Sequence, residues 1–477
     1  MRRDASITPK AKRFVRDTMM FGRFKRLFFV GIGGAGMSGI AEILKNLGYE
    51  ISGSDTTPSE VTDYLQSIGI KVAAEHRAAN ISDIDVVVIS SAVGENNPEV
   101  VEARRLGIPV IKRAEMLGEL MRLKFSVGVA GTHGKTTTTS MIGKILRQAS
   151  LHPTLIVGGV VAELGTGASL GEGDYLVAEV DEYDRSIFAM FPSMAVVLNI
   201  EADHLDCYSD MDDLRGAFLS YINRVPFYGS AIISADDPNL SSLRGRITRP
   251  FATFGFATDA DYRAVEIKQE PGRTTFSVYC RGDLLGEIIL RVPGRHNVAN
   301  ALAATAAARE LDVSFENIAD ALRQFNGVGR RFELIGTAHG VTVIDDYAHH
   351  PTEIAATLDT ARTNFSGRII AVFQPHLFSR TKHFLREFAD VLSRADHCIL
   401  TDIYPARELP MPGVTSDSIR EEALRQGHRN FTYVGKKENA IDEVVGMARP
   451  GDTIVIIGAG SITHIRKPVL ERITSQS

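Results

Sequence analysis

The sequence predicts an α/β protein built as three domains. A length of 477 residues is too great for one hydrophobic core. Short apolar runs alternate with amphipathic stretches along most of the chain. Two glycine-rich turns each follow an apolar run and precede a helix-like segment, the arrangement that open parallel sheets use to hold phosphates.

In the first block, strand-like Leu27–Ile32, Glu50–Ser52, Asp85–Ser90 and Pro109–Ile111 alternate with helix-like stretches at 35–47, 60–68, 98–106 and 114–122. Such a βαβ series gives a parallel sheet covered on both faces. The second block opens at Phe125 and continues through strands Asp174–Glu179 and Met194–Ile200. Residues 250–292 read as a strand-rich meander, and the Ala-rich Asn297–Glu310 reads as a helix. Gly327-Val328-Gly329-Arg330-Arg331 interrupts the pattern as a linker. The third block runs through strand Val341–Asp345, helix Glu353–Thr363, strand Arg368–Phe373, helix Lys382–Ser393 and strand His397–Thr401. It ends on strand Thr453–Ile457 and the turn Gly458-Ala459-Gly460. The divisions expected are a basic extension over 1–24, poorly ordered or a misassigned start, and domains over 25–123, 124–331 and 332–477.

Composition excludes several classes. With 44% hydrophobic and 23% charged residues the chain is ordinary for a soluble globular protein, and a net charge of -5 offers nucleic acid no broad basic field. Cys207, Cys280 and Cys398 are too widely spaced for a disulfide framework or a spaced zinc site, which fits a reducing cytoplasm. The basic start followed by an apolar stretch raises a signal peptide. That stretch, however, carries four glycines by residue 36 and is broken by Ser38 and Glu42. No segment approaches a membrane span in length. A cytoplasmic monomer or homodimer is expected.

The chemistry starts at Gly131-Thr132-His133-Gly134-Lys135-Thr136-Thr137. Its glycines let backbone N–H groups curl around phosphate oxygens, and the following helix points its positive end at them. Lys135 reaches the terminal phosphates of a triphosphate, and the Thr136 hydroxyl sits on magnesium. The strict P-loop pattern would need glycine at Val129. Earlier, Gly31-Ile32-Gly33-Gly34-Ala35-Gly36 satisfies G-x-G-x-x-G, with Asp55 about 20 residues on. This specifies a diphosphate beside a helix N-terminus, with Asp55 on a ribose; a dinucleotide and a UDP-sugar both supply one.

Further polar clusters close predicted strands, where an open parallel sheet faces its ligand crevice. Glu179 stands to hold magnesium with Thr136, and His204 either joins it, orients a water or serves a second metal. His296, Asn297 and Asn300 open a helix; the amides either bond a purine edge or start the helix. Arg330 and Arg331 either clamp a phosphate from a moving domain or face solvent. Asp345-Asp346-Tyr347-Ala348-His349-His350-Pro351 and Gln374–Arg380 gather His, Tyr and Arg where core would be costly.

Together these residues resemble the Mur ligase family from about Leu27 onward. The corresponding blocks are Gly31–Met37, Ser90-Ser91-Ala92, Asn97-Pro98-Glu99, Arg113–Leu117, Gly131–Thr139, Asn199–His204, Gly327–Phe332, Asp345–Glu353 and Gln374–Lys382. The resemblance implies an N-terminal Rossmann-like sheet for a UDP-sugar and a central P-loop ATPase domain. A C-terminal Rossmann-like domain then closes over the amino acid. It implies ATP and Mg2+ as cofactors. Among family members it is nearest the type that joins L-alanine to the lactoyl carboxylate of UDP-N-acetylmuramate, the first stem-peptide step of peptidoglycan synthesis. By motif, Gly131, Thr132, His133, Gly134, Lys135, Thr136, Thr137, His296, Asn297, Asn300, Arg331 and Asp346 surround ATP. Gly31, Gly33, Gly34, Ala35, Gly36, Met37, Asp55, Ser90, Ser91 and Arg113 hold the UDP-sugar. Thr136, Glu179 and His204 serve the metals. Lys135, Glu179, His204, Arg380, His349 and His376 carry the catalysis, the last three of these near the amino acid and the muramoyl carboxylate. His349 or His376 is the candidate to take the amine proton.

The chain departs from the family where Tyr183 and Arg185 replace the usual Ser and Ala, adding bulk and positive charge near the crevice. Ala348 replaces a common glycine. No lysine lies between Lys144 and Lys268, which argues against the carbamylated-lysine variant of the family. Three other readings share part of the pattern. A ligase adding a preformed murein tripeptide to the same UDP-sugar needs a roomier amine pocket. An NAD-dependent oxidoreductase fits Gly31–Gly36 and Asp55 but not the second phosphate turn. The third is a non-catalytic nucleotide-binding regulator.

Overall fold

The computed structural model describes residues 21–158, 167–203, 207–406 and 408–475. Residues 1–20 of the expected extension lie outside them. At its end Phe21 packs on Tyr49, with ring centres 5.1 Å apart.

Strands β1 (Arg26–Val30), β2 (Glu50–Ser54), β3 (Lys71–Ala73), β4 (Val86–Ile89) and β5 (Val110–Lys112) form a parallel sheet in the order β3-β2-β1-β4-β5. β1 and β4 are buried along their apolar runs, as strands beneath two helix layers must be. The winding direction reverses between β1 and β4, which opens the crevice at their carboxyl ends. β1 stops two residues earlier than predicted because Gly31 turns away at φ +76°, and the Gly31 and Ile32 N–H groups both donate to the Ser54 carbonyl.

The central sheet has ten strands: β6 (Phe125–Ala130), β7 (Thr154–Ile156), β8 (Ala168–Ser169), β9 (Tyr175–Glu179), β10 (Met194–Val197), β11 (Ser230–Ser234), β12 (Phe251–Gly255), β13 (Tyr262–Glu270), β14 (Arg273–Cys280) and β15 (Asp283–Leu290). Their order is β15-β14-β13-β12-β11-β10-β6-β9-β7-β8. β6 lies between β9 and β10 in the parallel portion, and β13–β15 form the antiparallel meander. Helices Lys135–Gln148 and Arg295–Arg309 pack together against this sheet.

β16 (Glu333–Ala338), β17 (Val341–Asp346), β18 (Ile369–Phe373), β19 (His397–Thr401), β20 (Phe431–Gly435) and β21 (Thr453–Ile457) build the third sheet. Its order is β16-β17-β21-β18-β19-β20, parallel except at the edge strand β16. The helix predicted over 382–393 is two helices, Phe378–His383 and Leu385–Leu392. Phe384 breaks them at φ -106°, ψ 26°, and its ring turns onto His350 at 4.7 Å.

The first two sheets share one apolar cluster that includes Ile40, Leu117, Ile187 and Met190. Gly118 allows this approach: a Cβ there would stand 2.3 Å from the Ala189 carbonyl oxygen. The third sheet keeps its own clusters. It meets the centre through polar pairs and through helix Pro351–Asn364 against Arg295–Arg309. Among the described residues, no helix is long and apolar enough to cross a membrane.

Candidate active site

The turn after β6 is clamped from β10. Asn199 accepts from the His133 N–H (2.8 Å) and donates to the His133 carbonyl (3.1 Å), while the Glu201 N–H donates to the Thr132 hydroxyl (2.9 Å). Gly134 takes φ +83°, and a Cβ there would sit 2.5 Å from Asn300 Oδ1. Glycine is therefore required both by the backbone and by the packed amide.

Lys135 curls back over this turn. Its ammonium donates to the Gly131 carbonyl (2.7 Å) and to Glu182 (2.9 Å). Burial pulls its pKa down, but Glu182, Asp181 and Glu179 outweigh burial and hold it above the ordinary lysine value. The ammonium thus stays charged where phosphate oxygens would arrive. Thr136 donates to Glu179 Oε2 at 2.9 Å, and the Gly158 N–H donates to the same oxygen at 2.8 Å. Thr136 and Glu179 are brought together as predicted; His204 lies outside the described residues. Glu182, in the acidic cluster that closes β9, carried no individual role from sequence, because its role is a pairing across 47 residues that no spacing rule encodes.

A cavity beside the turn is lined by His133, Gly134, Thr137, His296, Asn297, Asn300, Arg331 and Asp346, all assigned to the nucleotide from sequence. Asn297 donates to the Pro293 carbonyl and accepts from Asn300 (3.2 Å), so part of the amide capacity orders the helix start. Burial, reinforced by Arg331, pulls His296 down to about 4. Asp346 accepts from the Phe332 and Ala348 N–H groups, yet burial still pushes it up to about 6 despite Arg331. Arg330 is corrected: it donates to the Gly458 carbonyl (2.7 Å) and lies over Tyr347, bracing the linker. Arg331 alone of the pair lines the cavity.

The third domain faces the turn. Glu353 Oε1 lies 3.2 Å from His133 Nδ1 and 3.7 Å from Arg331, and Oε2 lies 3.2 Å from His349 Nδ1. Burial raises Glu353, but His349, His133 and Arg331 prevail and hold it well below the usual carboxylate range. Arg380 forms a buried bidentate pair with Asp203 (2.7 and 3.0 Å) and contacts His376 Nδ1 at 3.2 Å. The His349 and His376 rings are 5.9 Å apart. Burial pulls His349 down to about 4, leaving it neutral near pH 7. Glu353 and Asp203 lie within the resembling blocks but carried no individual role from sequence.

At the first glycine turn, Asp55 accepts from the Gly33 N–H (2.9 Å) and from the Thr57 N–H (3.0 Å). It orders the turn itself, where a ribose contact was expected. A Cβ on Gly36 would meet Arg113 at 2.9 Å, and one on Gly31 would meet Ser90 at 3.3 Å, so both side chains border the turn. Gly34 and Ala35 carry the backbone into helix Ala35–Asn46, and Ser91 is exposed. Met37 is corrected: it is 1% exposed in the core and its N–H bonds Gly34, which leaves it to packing. Arg185 also departs from expectation. It pairs bidentately with Asp213 and covers Tyr208, whose hydroxyl donates to the Glu182 carbonyl, so its charge is spent bracing the partner of Lys135.

A triphosphate turn, a second phosphate turn and a third domain that caps the first of them define a nucleotide-using enzyme whose reaction is enclosed between domains. Three family models match in succession: Mur ligase family, catalytic domain (residues 26–125), Mur ligase middle domain (129–308) and Mur ligase, glutamate ligase domain (330–460). The chain belongs to the Mur ligase family. It is 46% identical to a UDP-N-acetylmuramate–L-alanine ligase of Geotalea uraniireducens, over 95% of this chain and 99% of that one. It is 48% identical to the protein of the same name from Geobacter sp. strain M21, with the same coverage. Among solved structures, the UDP-N-acetylmuramate-alanine ligase of Thermotoga maritima aligns with TM-score 0.79 and 30% identity, over 95% of this chain and 100% of that one. A murein peptide ligase from Psychrobacter arcticus aligns with TM-score 0.70 and 25% identity, over 94% and 99%.

Proposed function

We propose that this Mur ligase joins L-alanine to the lactoyl carboxylate of UDP-N-acetylmuramate, consuming ATP, in the first stem-peptide step of peptidoglycan synthesis. What carries the reading is the end-to-end identity of 46–48% to relatives bearing that activity's name. The lower likeness to the murein peptide ligase makes the tripeptide alternative the weaker one. The reading divides the chain at 123/124 and 331/332, supported by the three separate sheets, and places it in the cytoplasm.

The site residues are read in these roles. A carboxylate is a poor electrophile, so its oxygen attacks the γ-phosphorus of ATP, ADP leaves, and an acyl phosphate forms. Lys135 offsets the charge that spreads over the transferring group. Magnesium fits the Thr136–Glu179 pair, hard oxygens held 2.9 Å apart. When bound, with His204 as a further candidate partner, it supplies charge neutralisation at the phosphates. The alanine amine then attacks the acyl carbon and phosphate departs. Its proton passes to a base or a phosphate oxygen; His349 is neutral and able to accept it, and His376 is its neighbour. Arg380, held by Asp203, is placed to steer a carboxylate. Closure excludes water from the acyl phosphate.

Phosphate release by the purified chain tests this. Release should require the UDP-sugar and L-alanine together, cease with EDTA and return with Mg2+. Release with the sugar and tripeptide but not L-alanine would install the alternative, and hydride transfer to NAD would overturn the ligase reading.

A further inference from the structure

We propose that His133, Glu201 and His350 form a site for a divalent transition metal of the zinc or cobalt kind, bridging the central and third domains. Donor atoms of all three lie within 4.8 Å of one another. Glu201 Oε2 is 3.4 Å from His133 Nε2 and 3.6 Å from His350 Nδ1. Bonds of about 2.0–2.1 Å in a tetrahedron require ligand–ligand edges of about 3.3–3.5 Å. The two edges at Glu201 lie close to that spacing, and both contacts are too long for good hydrogen bonds.

The surroundings support ligation. Glu353 accepts at the far ring nitrogen of His133, Nδ1, at 3.2 Å, the carboxylate–histidine arrangement that orients metal-bound imidazoles. The Thr352 hydroxyl donates to Glu201 at 2.6 Å and fixes that carboxylate. His350 is 4% exposed and faces Glu201 with Nδ1, while His133 Nε2, the atom nearest Glu201, is buried with no hydrogen bond. The same Nδ1 accepts from the Thr352 N–H at 3.4 Å, a long cap contact that a bound ion would displace. Two imidazoles with one carboxylate suit zinc or cobalt, whereas magnesium prefers the all-oxygen Thr136–Glu179 pair. His133 and Glu201 come from the central domain and His350 from the third, so a bound ion staples the closed arrangement. His133 and Glu201 also line the nucleotide cavity, which leaves a coordination position open toward it.

Cobalt(II) added to the metal-free full chain in excess Mg2+ tests the site without recourse to activity. One equivalent should give the visible absorption of four- or five-coordinate cobalt. His350→Ala and Glu201→Gln should abolish it, Glu179→Gln should leave it, and Glu353→Gln should weaken cobalt binding by about 10- to 100-fold. Should His350→Ala fail to fold, His350→Cys decides alone by adding a thiolate-to-cobalt charge-transfer band. No visible band in the native chain overturns the proposal. So does a band that survives His350→Ala, that is lost in Glu179→Gln, or that lacks the charge-transfer component in His350→Cys.

Discussion

Lys135 is held in the phosphate turn by its own carbonyls and by Glu182, a side chain only 1% exposed. Lys135→Met should lower turnover at least about a hundredfold, by removing a preorganised charge at the transferring phosphoryl. It should also cost about 3–5 kcal/mol of stability, because the buried Glu182 carboxylate loses its countercharge. Adding Glu182→Gln should restore most of the stability in urea titrations and none of the turnover. In the metal-free chain, His133 carries the pH dependence of the same corner. Burial lowers its pKa, but Glu353 and Glu201 prevail and push it up to about 9. The folded chain therefore keeps a proton that the unfolded chain releases near 6.5. The stabilisation, about 3 kcal/mol at most, is complete below pH 6.5 and lost as pH rises through 9. His296, His349 and His350 are each pulled down to about 4, so their contribution has the opposite sign and is lost as pH falls from 6.5 to 4. Melting temperatures from pH 5 to 10 should show an alkaline decline that His133→Gln flattens; equal slopes in both proteins would refute the assignment. Lys135 and Thr136 were legible because their chemistry depends on residue type at fixed spacing. Glu182, Glu353 and Asp203 were not, because each acts through a partner distant in sequence.

At the scale of elements, the glycine turns do what flanking helices cannot do for themselves. Gly134→Ala should strain a φ of +83° and drive a methyl into Asn300, costing about 1–3 kcal/mol and raising the KM for ATP far more than that for the amino acid. The split between the two KM values is the informative reading. Helix Phe378–His383 owes its use to the break at Phe384, which lets Arg380 reach Asp203 across the domain boundary. Asp203→Ala should leave the Arg380 guanidinium buried without its carboxylate and loosen closure; small-angle scattering of the free protein should then report a larger radius of gyration. The apolar runs of β1, β4, β6 and β17 and the helix Arg295–Arg309 were readable from the sequence pattern. β7 and β8, of three and two residues, were too short to show any, and β16 is an edge strand with little burial. The single helix expected over 382–393 failed because the apolar pattern continues through the bend that Phe384 introduces.

Over the whole molecule, two sheets share a core while the third is joined through ion pairs and through helix Pro351–Asn364, which meets both helix Arg295–Arg309 and β13. An interface of that polarity favours relative domain motion, which the proposed acyl-phosphate route would use to exclude water. The three-block organisation was visible in the sequence, because each block repeats a strand–helix period. Strand order was not, since β21 pairing between β17 and β18 joins segments far apart in the chain. The proposed ligase holds its substrate's diphosphate on one phosphate turn and, on the other, the ATP that activates that substrate's carboxylate. Mass spectrometry of the phosphate released from UDP-N-acetylmuramate labelled with 18O in its lactoyl carboxylate tests it most directly. One labelled oxygen should appear in the phosphate, in step with L-alanine ligation and absent in Lys135→Met. Ligation that leaves the phosphate unlabelled would contradict the account.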